Sequence, residues 1–120
     1  MNIVMSLNAI TLNVSEMEKS VHFYKDLLGF KLIYGGYHNT FSSLELSGSF
    51  INLSLREGPI MSGWGRFIIH VEDVDAMYDA LKDTGVFIED KPKNAAWNER
   101  YIHLKDPDGH DLSLAKPIEY

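Results

Sequence analysis

The sequence predicts an α+β fold built from two βαβββ units, and three observations carry that prediction. An alternating apolar/polar stretch, Ala9-Ile10-Thr11-Leu12-Asn13-Val14, runs into the acidic helix start Glu16-Met17-Glu18, and the pattern recurs as Arg66-Phe67-Ile68-Ile69-His70-Val71 before Asp73-Val74-Asp75. Each copy closes one amphipathic helix later on a glycine, Gly29 and Gly85. Further alternating stretches separated by turn residues follow each glycine. Such a repeat is one supersecondary unit used twice. The first unit spans residues of about 7–56 and the second about 64–116, within a single domain covering residues 1–120.

In the first unit, Ser15 with Glu18 three residues on has the form of a capping box, and Met17, Val21, Tyr24 and Leu28 then share one helical face. This predicts a helix over about 16–28, with Gly29 as its left-handed stop. Three strands are expected near 30–36, 39–46 and 49–56, divided by Gly35-Gly36 and Ser47-Gly48. In the second unit Asp73 is the expected N-cap, and Val74, Met77 and Leu81 form the buried stripe. Strands are expected near 86–90, 100–105 and 110–115, with Asp108-Gly109 as the last turn and Lys91 to Glu99, containing Pro92, as the longest loop.

Strand side chains alternate with period two, so each strand sorts into two faces. The apolar faces are Ile10, Leu12 and Val14; Ile51, Leu53 and Leu55; Phe67, Ile69 and Val71; and Leu112 with Leu114. The opposite faces carry Ala9, Thr11, Asn13, Asn52, Ser54, Arg66, Ile68, His70, Asp111 and Ser113. Counting back by twos from the last turn puts Tyr101 and His103 on that second side as well.

Composition bounds the partners. With 120 residues and 45% hydrophobic content, the chain can bury one modest core. Seventeen acidic against eleven basic residues give a net charge of −6, which opposes phosphate-backbone binding, so nucleic acid is not an expected partner. No stretch approaches the roughly 18 uninterrupted apolar residues of a membrane helix, and the N-terminus lacks a signal-peptide pattern, so the expected location is cytoplasmic. No cysteine is present, which excludes disulfides, thiolate nucleophiles and thiolate metal sites. No serine sits in a G-x-S-x-G elbow and there is no glycine-rich phosphate loop.

The strand entering Ser15-Glu16-Met17-Glu18-Lys19-Ser20-Val21-His22-Phe23-Tyr24, the segment Val71 to Val86 and the run Asp106-Pro107-Asp108-Gly109-His110 occur in an order that resembles the glyoxalase, bleomycin-resistance and extradiol-dioxygenase superfamily, the vicinal-oxygen-chelate fold. The resemblance covers almost the whole chain. It implies curved mixed sheets around a cavity, a homodimer, and a divalent metal held at four positions. Those positions are the first residue of each unit's first strand, and the residue four past each last-hairpin glycine, Gly48 or Gly109. In this chain they carry Ala9, Asn52, Arg66 and Ser113. Alanine donates nothing, arginine has no lone pair to offer, and asparagine and serine supply only neutral oxygens. No metal or other cofactor is therefore expected, and metal-dependent isomerase or dioxygenase chemistry is disfavoured.

The five histidines, His22, His38, His70, His103 and His110, make no recognised ligand spacing. His22 shares a helical face with Glu18 and Asp26, which reads as an exposed charged face. His110 reads as a hairpin residue. His70, His103 and Asp111 form a conceivable shifted metal site, and Glu45, His70, His103 and Asp111 a conceivable acid/base set. Among the aromatic residues, Trp97 and Tyr101 are candidates for a stacking wall, with Trp64 a weaker one, whereas Phe23 and Tyr24 are core by default. The expected ligand-contacting set is Asn52, Arg66, His70, Trp97, Tyr101, His103 and Ser113, with no catalytic residue assigned. The leading expectation is a metal-independent protein that sequesters or senses a small organic ligand. The alternatives are an enzyme of the same superfamily, as a lyase, isomerase or transferase with a nonstandard or metal-free site, and an accessory domain without a small ligand.

Overall fold

A computed structural model describes residues 3–119 of the chain. They fall into two compact units that meet between Ile60 and Met61. In the first unit the order is β1 (Ala9–Val14), α1 (Met17–Val21), a π-helical segment (His22–Leu27), β2 (Lys31–Tyr34), β3 (Phe41–Leu46) and β4 (Ser49–Leu55). In the second it is β5 (Arg66–His70), α2 (Val74–Leu81), β6 (Phe87–Ile88), β7 (Lys93–Ala95), β8 (Glu99–Lys105) and β9 (Asp111–Pro117).

Each unit forms one mixed sheet. The first is ordered β1-β4-β3-β2, with β1 parallel to β4 and the other neighbours antiparallel. The second is ordered β5-β9-β8-β6, with β5 parallel to β9, and β7 pairing the same edge of β8 as β6. The parallel pair in each unit follows from a helical crossover between its strands, which antiparallel hairpins do not need. In the first unit Leu12, Val14, Leu44, Ile51 and Leu53 are buried together with Met17, Val21, Phe23 and Tyr24. In the second unit Phe67, Ile69, Ile102, Leu104, Leu112 and Leu114 are buried together with Val74 and Leu81.

The first helix departs from the expected one at both ends. Its cap position falls on Glu16, one residue after the expected Ser15, and the Glu16 side chain makes no capping bond. After one turn the helix widens: Leu28 N–H donates to Phe23 O at 3.0 Å, a five-residue span. The aromatic pair explains the widening. Adjacent residues in a regular α-helix point about 100° apart, yet Phe23 and Tyr24 are both buried, with their rings edge to face at 4.8 Å. The second helix starts as expected, since Asp73 Oδ1 accepts from Ala76 N–H at 3.0 Å, and of its expected stripe Val74 and Leu81 are buried while Met77 is half-buried.

Strand limits also differ. The strand expected near 30–36 stops at Tyr34, because Gly35 and Gly36 turn the backbone out of the extended region with φ of 77° and 151°, and a Cβ on Gly35 would also lie 2.9 Å from Ser42 Cα. The strand expected near 86–90 shrinks to Phe87–Ile88, and the loop expected from Lys91 to Glu99 contains β7. Lys93, Asn94 and Ala95 have little strand propensity; pairing with Tyr101, Arg100 and Glu99 holds them extended. Leu55, expected on the buried face, is exposed at the end of β4. No helix of the described residues is long and apolar enough to cross a membrane.

Candidate functional site

The face of the second sheet opposite its helix forms a trough. Its floor is β9, whose residues Ser113 and Ala115 are 2% and 0% exposed although they alternate with the core residues Leu112 and Leu114. Their burial comes from taller neighbours in register: Ile68 and His103 flank Ser113, and His70 and Tyr101 flank Ala115. Arg66 and Lys105 flank Asp111 in the next row. A cavity of about 370 Å³ opens here, lined by Arg66, Phe87, Glu89, His103, Lys105 and Asp111 among others.

Three of the expected site residues make a continuous chain of hydrogen bonds. Arg66 Nη1 donates to Ser113 Oγ at 3.2 Å and to Leu112 O at 3.0 Å. Ser113 Oγ lies 2.6 Å from His103 Nδ1. Arginine can only donate, so it occupies a lone pair of the Ser113 hydroxyl, and the hydroxyl's own hydrogen is then suited to His103 Nδ1. Burial pushes the His103 imidazole below its ordinary pKa, and the neighbouring Arg66 charge pushes it the same way. Lys105 Nζ takes Asp111 Oδ1 at 2.7 Å, while Arg66 Nη2 stands at 3.9 Å from that oxygen, so the aspartate belongs mainly to the lysine. Its carboxyl is held below the usual range, chiefly by that Lys105 bond.

The remaining expected residues are distributed differently. Tyr101 stands against His103 with ring centroids 4.7 Å apart, and Trp97 stacks on Tyr101 at 6.4 Å and 20°. Trp97 is 71% exposed and its indole N–H reaches Glu99 Oε1 at 3.3 Å. His70 is also largely exposed, 3.8 Å from Glu99 Oε2. Asn52 is in the first unit, where its Oδ1 accepts from Ser43 Oγ at 2.7 Å and its Nδ2 donates to Thr11 Oγ1 at 3.3 Å. Trp64 has a structural place: it donates to His110 Nδ1 at 2.8 Å and stacks parallel to Phe67. His110 is buried, and its backbone N–H is bound by Asp106 Oδ1 at 2.9 Å, as a hairpin residue should be. His22 pairs with Asp26 at 3.0 Å on an exposed helix face.

The conceivable shifted metal set is not assembled. His103 stands in the Ser113 row and His70 in the Ala115 row, and among the described residues no group of three or more histidine, cysteine or acidic side chains is placed to hold a metal ion. The four positions at which the resemblance implies a divalent metal do not fit one chemically either. Arg66 brings a permanent positive charge and the Ser113 hydroxyl is already shared between Arg66 and His103. Sequence reasoning passed over Lys105 and Glu89 as lining residues. Lys105 could have been found by continuing the period-two count from Tyr101 and His103, whereas Glu89 reaches His103 through its backbone N–H, 3.0 Å from the His103 carbonyl, which no pattern signals.

Comparison with known proteins fits this architecture. The family model Glyoxalase/Bleomycin resistance protein/Dioxygenase superfamily matches residues 6–114, and the chain belongs to that superfamily. Among curated relatives, the uncharacterized protein YraH of Bacillus subtilis is 32% identical, over 95% of this chain and all of that one. The metallothiol transferase FosB of Lysinibacillus sphaericus is 30% identical, over 92% of this chain and 82% of its own length. A bleomycin resistance protein of Geobacillus stearothermophilus is 28% identical over 90% and 94%. Among solved structures, a glyoxalase family protein from Bacillus anthracis superposes with a TM-score of 0.81 at 12% identity, covering 98% of both chains. An integron cassette protein from a Halifax Harbour sewage metagenome gives 0.78 at 24% identity, covering 93% of this chain and 98% of the other.

Proposed function

We propose that this protein is a metal-independent small-molecule-binding member of its superfamily, which sequesters or senses an organic ligand in the manner of the bleomycin-resistance branch. The observation that carries the reading is the Arg66 guanidinium bonded to Ser113 Oγ and Leu112 O, a fixed cation where a metal-dependent relative needs lone pairs. The proposed ligand set on the second sheet is Arg66, Ser113, His103, Tyr101, Trp97 and His70, and Asn52 is a separate proposed contact in the first unit. The whole chain acts as one domain, and the working form is a cytoplasmic homodimer. The relation to a bleomycin resistance protein supports binding as the activity.

The relation to FosB favours a second reading, a transferase with a metal. Elemental analysis of purified protein separates the two when combined with ligand screening in the presence and absence of added zinc, nickel and manganese. The binding reading expects no stoichiometric divalent metal and the same ligand affinities with or without metal. About one metal per chain, lost on mutation of His103 or His70, establishes the enzyme reading instead.

A further inference from the structure

The trough of the second unit carries more information than the presence of a cation, because its hydrogens can be counted. Arg66 Nη1 donates to one lone pair of Ser113 Oγ, and Ser113 is nearly sealed from solvent; of the two ways to make the 2.6 Å contact with His103 Nδ1, the one in which the hydroxyl donates leaves no buried hydroxyl hydrogen without an acceptor. In a neutral imidazole the other nitrogen then carries the proton. The two ring nitrogens point in different directions, so with Nδ1 turned to the Ser113 floor the Nε2–H is turned away from it. Arg66 and His103 together therefore present donors only.

Beyond His103 stand two more rings, Tyr101 on β8 and Trp97 in the turn before that strand. Tyr101 follows at 4.7 Å and Trp97 at 6.4 Å from Tyr101, nearly parallel to it. A flat ring has large, low-entropy contact area to gain against such a wall. Lys105 is neutralised by Asp111 at 2.7 Å and Glu89 also lines the cavity, so the lining carries no net charge, and Arg66 is the cation in it that no carboxylate holds at hydrogen-bonding distance. A ring wall at one end and the paired donors of Arg66 and His103 at the other define the ligand chemistry.

Resting on the binding reading above, we propose that the trough recognises planar aromatic carboxylates: the carboxylate takes Arg66 and the His103 Nε2–H, the ring lies against Tyr101, and Ser113 is a positioning residue that fixes the His103 tautomer. An aromatic ring without the charge, or the charge without the flat ring, satisfies only half of this arrangement.

Long-range ¹⁵N–¹H NMR of the imidazoles tests the tautomer in the native protein, and titration with benzoate, benzamide and cyclohexanecarboxylate tests the ligand class. The expected results are an Nε2–H tautomer for His103 and saturable benzoate shifts at His103 and Tyr101 with a dissociation constant of about 1 mM, each analogue binding at least tenfold more weakly. Arg66→Met should abolish the benzoate response. Ser113→Ala should let both His103 tautomers populate and weaken benzoate more than benzamide, a selective loss that a merely structural serine would not produce. An Nδ1–H tautomer in the native protein, equal binding of benzoate and benzamide, or no binding of benzoate to metal-free protein overturns the proposal. Stoichiometric metal in the purified protein would instead sink the binding reading on which it rests, so the two failures are distinguishable.

Discussion

Replacing Asp106 should unseat the hairpin that aligns His103 with Ser113. Asp106 lies between β8 and β9, 5% exposed, and its Oδ1 accepts the backbone N–H groups of Asp108 at 3.0 Å and His110 at 2.9 Å. The Asp106 backbone N–H closes the same turn on His110 O. Each hydrogen bond to a charged acceptor contributes about 1.5–3 kcal/mol. The Asp108 donor is only partly buried and can recover water, so Asp106→Ala should cost about 3 kcal/mol in all, near the lower bound for two such bonds. With a urea dependence of about 2 kcal/mol/M, the unfolding midpoint should fall by about 1.5 M. Asp106→Asn keeps the accepting oxygen without its charge and should recover roughly half of that loss. Equilibrium urea unfolding of the three proteins measures all of this. An alanine variant within about 0.5 kcal/mol of the parent, or an asparagine variant no better than alanine, would refute the reasoning.

Other perturbations follow from single groups. The Ser20 hydroxyl is buried with no hydrogen-bond partner, so Ser20→Ala should raise stability by about 1 kcal/mol in the same urea assay, and a loss of that size would show that the hydroxyl has one. His103 has a folded pKa below its unfolded value near 6.5, so the unfolded chain binds more protons in that window; stability should be lost as pH falls below about 6.5, and His103→Gln should flatten that slope. The Tyr37 hydroxyl, donating at 2.7 Å, is the main reason Asp26 is lowered to about 2, with His22 second. The stabilisation from this carboxylate is present above its ordinary value of 3.8 and is lost as pH falls through about 2. An NMR titration should place the Asp26 midpoint there, and Tyr37→Phe should move it up towards 3.8; an unmoved midpoint would assign the effect to other neighbours.

Much of the candidate site was legible because strand alternation is a hard geometric rule. Arg66, His103 and Ser113 were placed on one face from sequence, and the structure bonds them to one another. The rule gives the face but not the height of a side chain above it, so the burial of Ser113 under its neighbours and the dispersal of His70 and Trp97 to the exposed end could not be read. Asn52 entered the set through the resemblance, as the residue four past Gly48, and its bonds are to Ser43 and Thr11. Strand β7 was missed for a different reason: Lys93-Asn94-Ala95 is extended because β8 offers an open edge, a tertiary cause with no local signal. The repeat located the start of both helices within a residue or two, but the widening at residues 22–27 depends on two rings competing for one core, and periodicity assumes one residue per direction.

That widened turn makes the segment sensitive to a change in its length. A π-helical turn holds one residue more than the α-helical turn it replaces, and here the surplus is what lets Phe23 and Tyr24 both stay inside. Deleting a single residue between 22 and 27 would restore a regular spiral and rotate everything upstream by about 100°, turning one ring out to water. Phe30 N–H donates to Tyr24 O at 2.9 Å just beyond the turn, so such a deletion would also disturb the entry into β2. The chain leading into β2 is thus anchored by an irregularity of the helix before it.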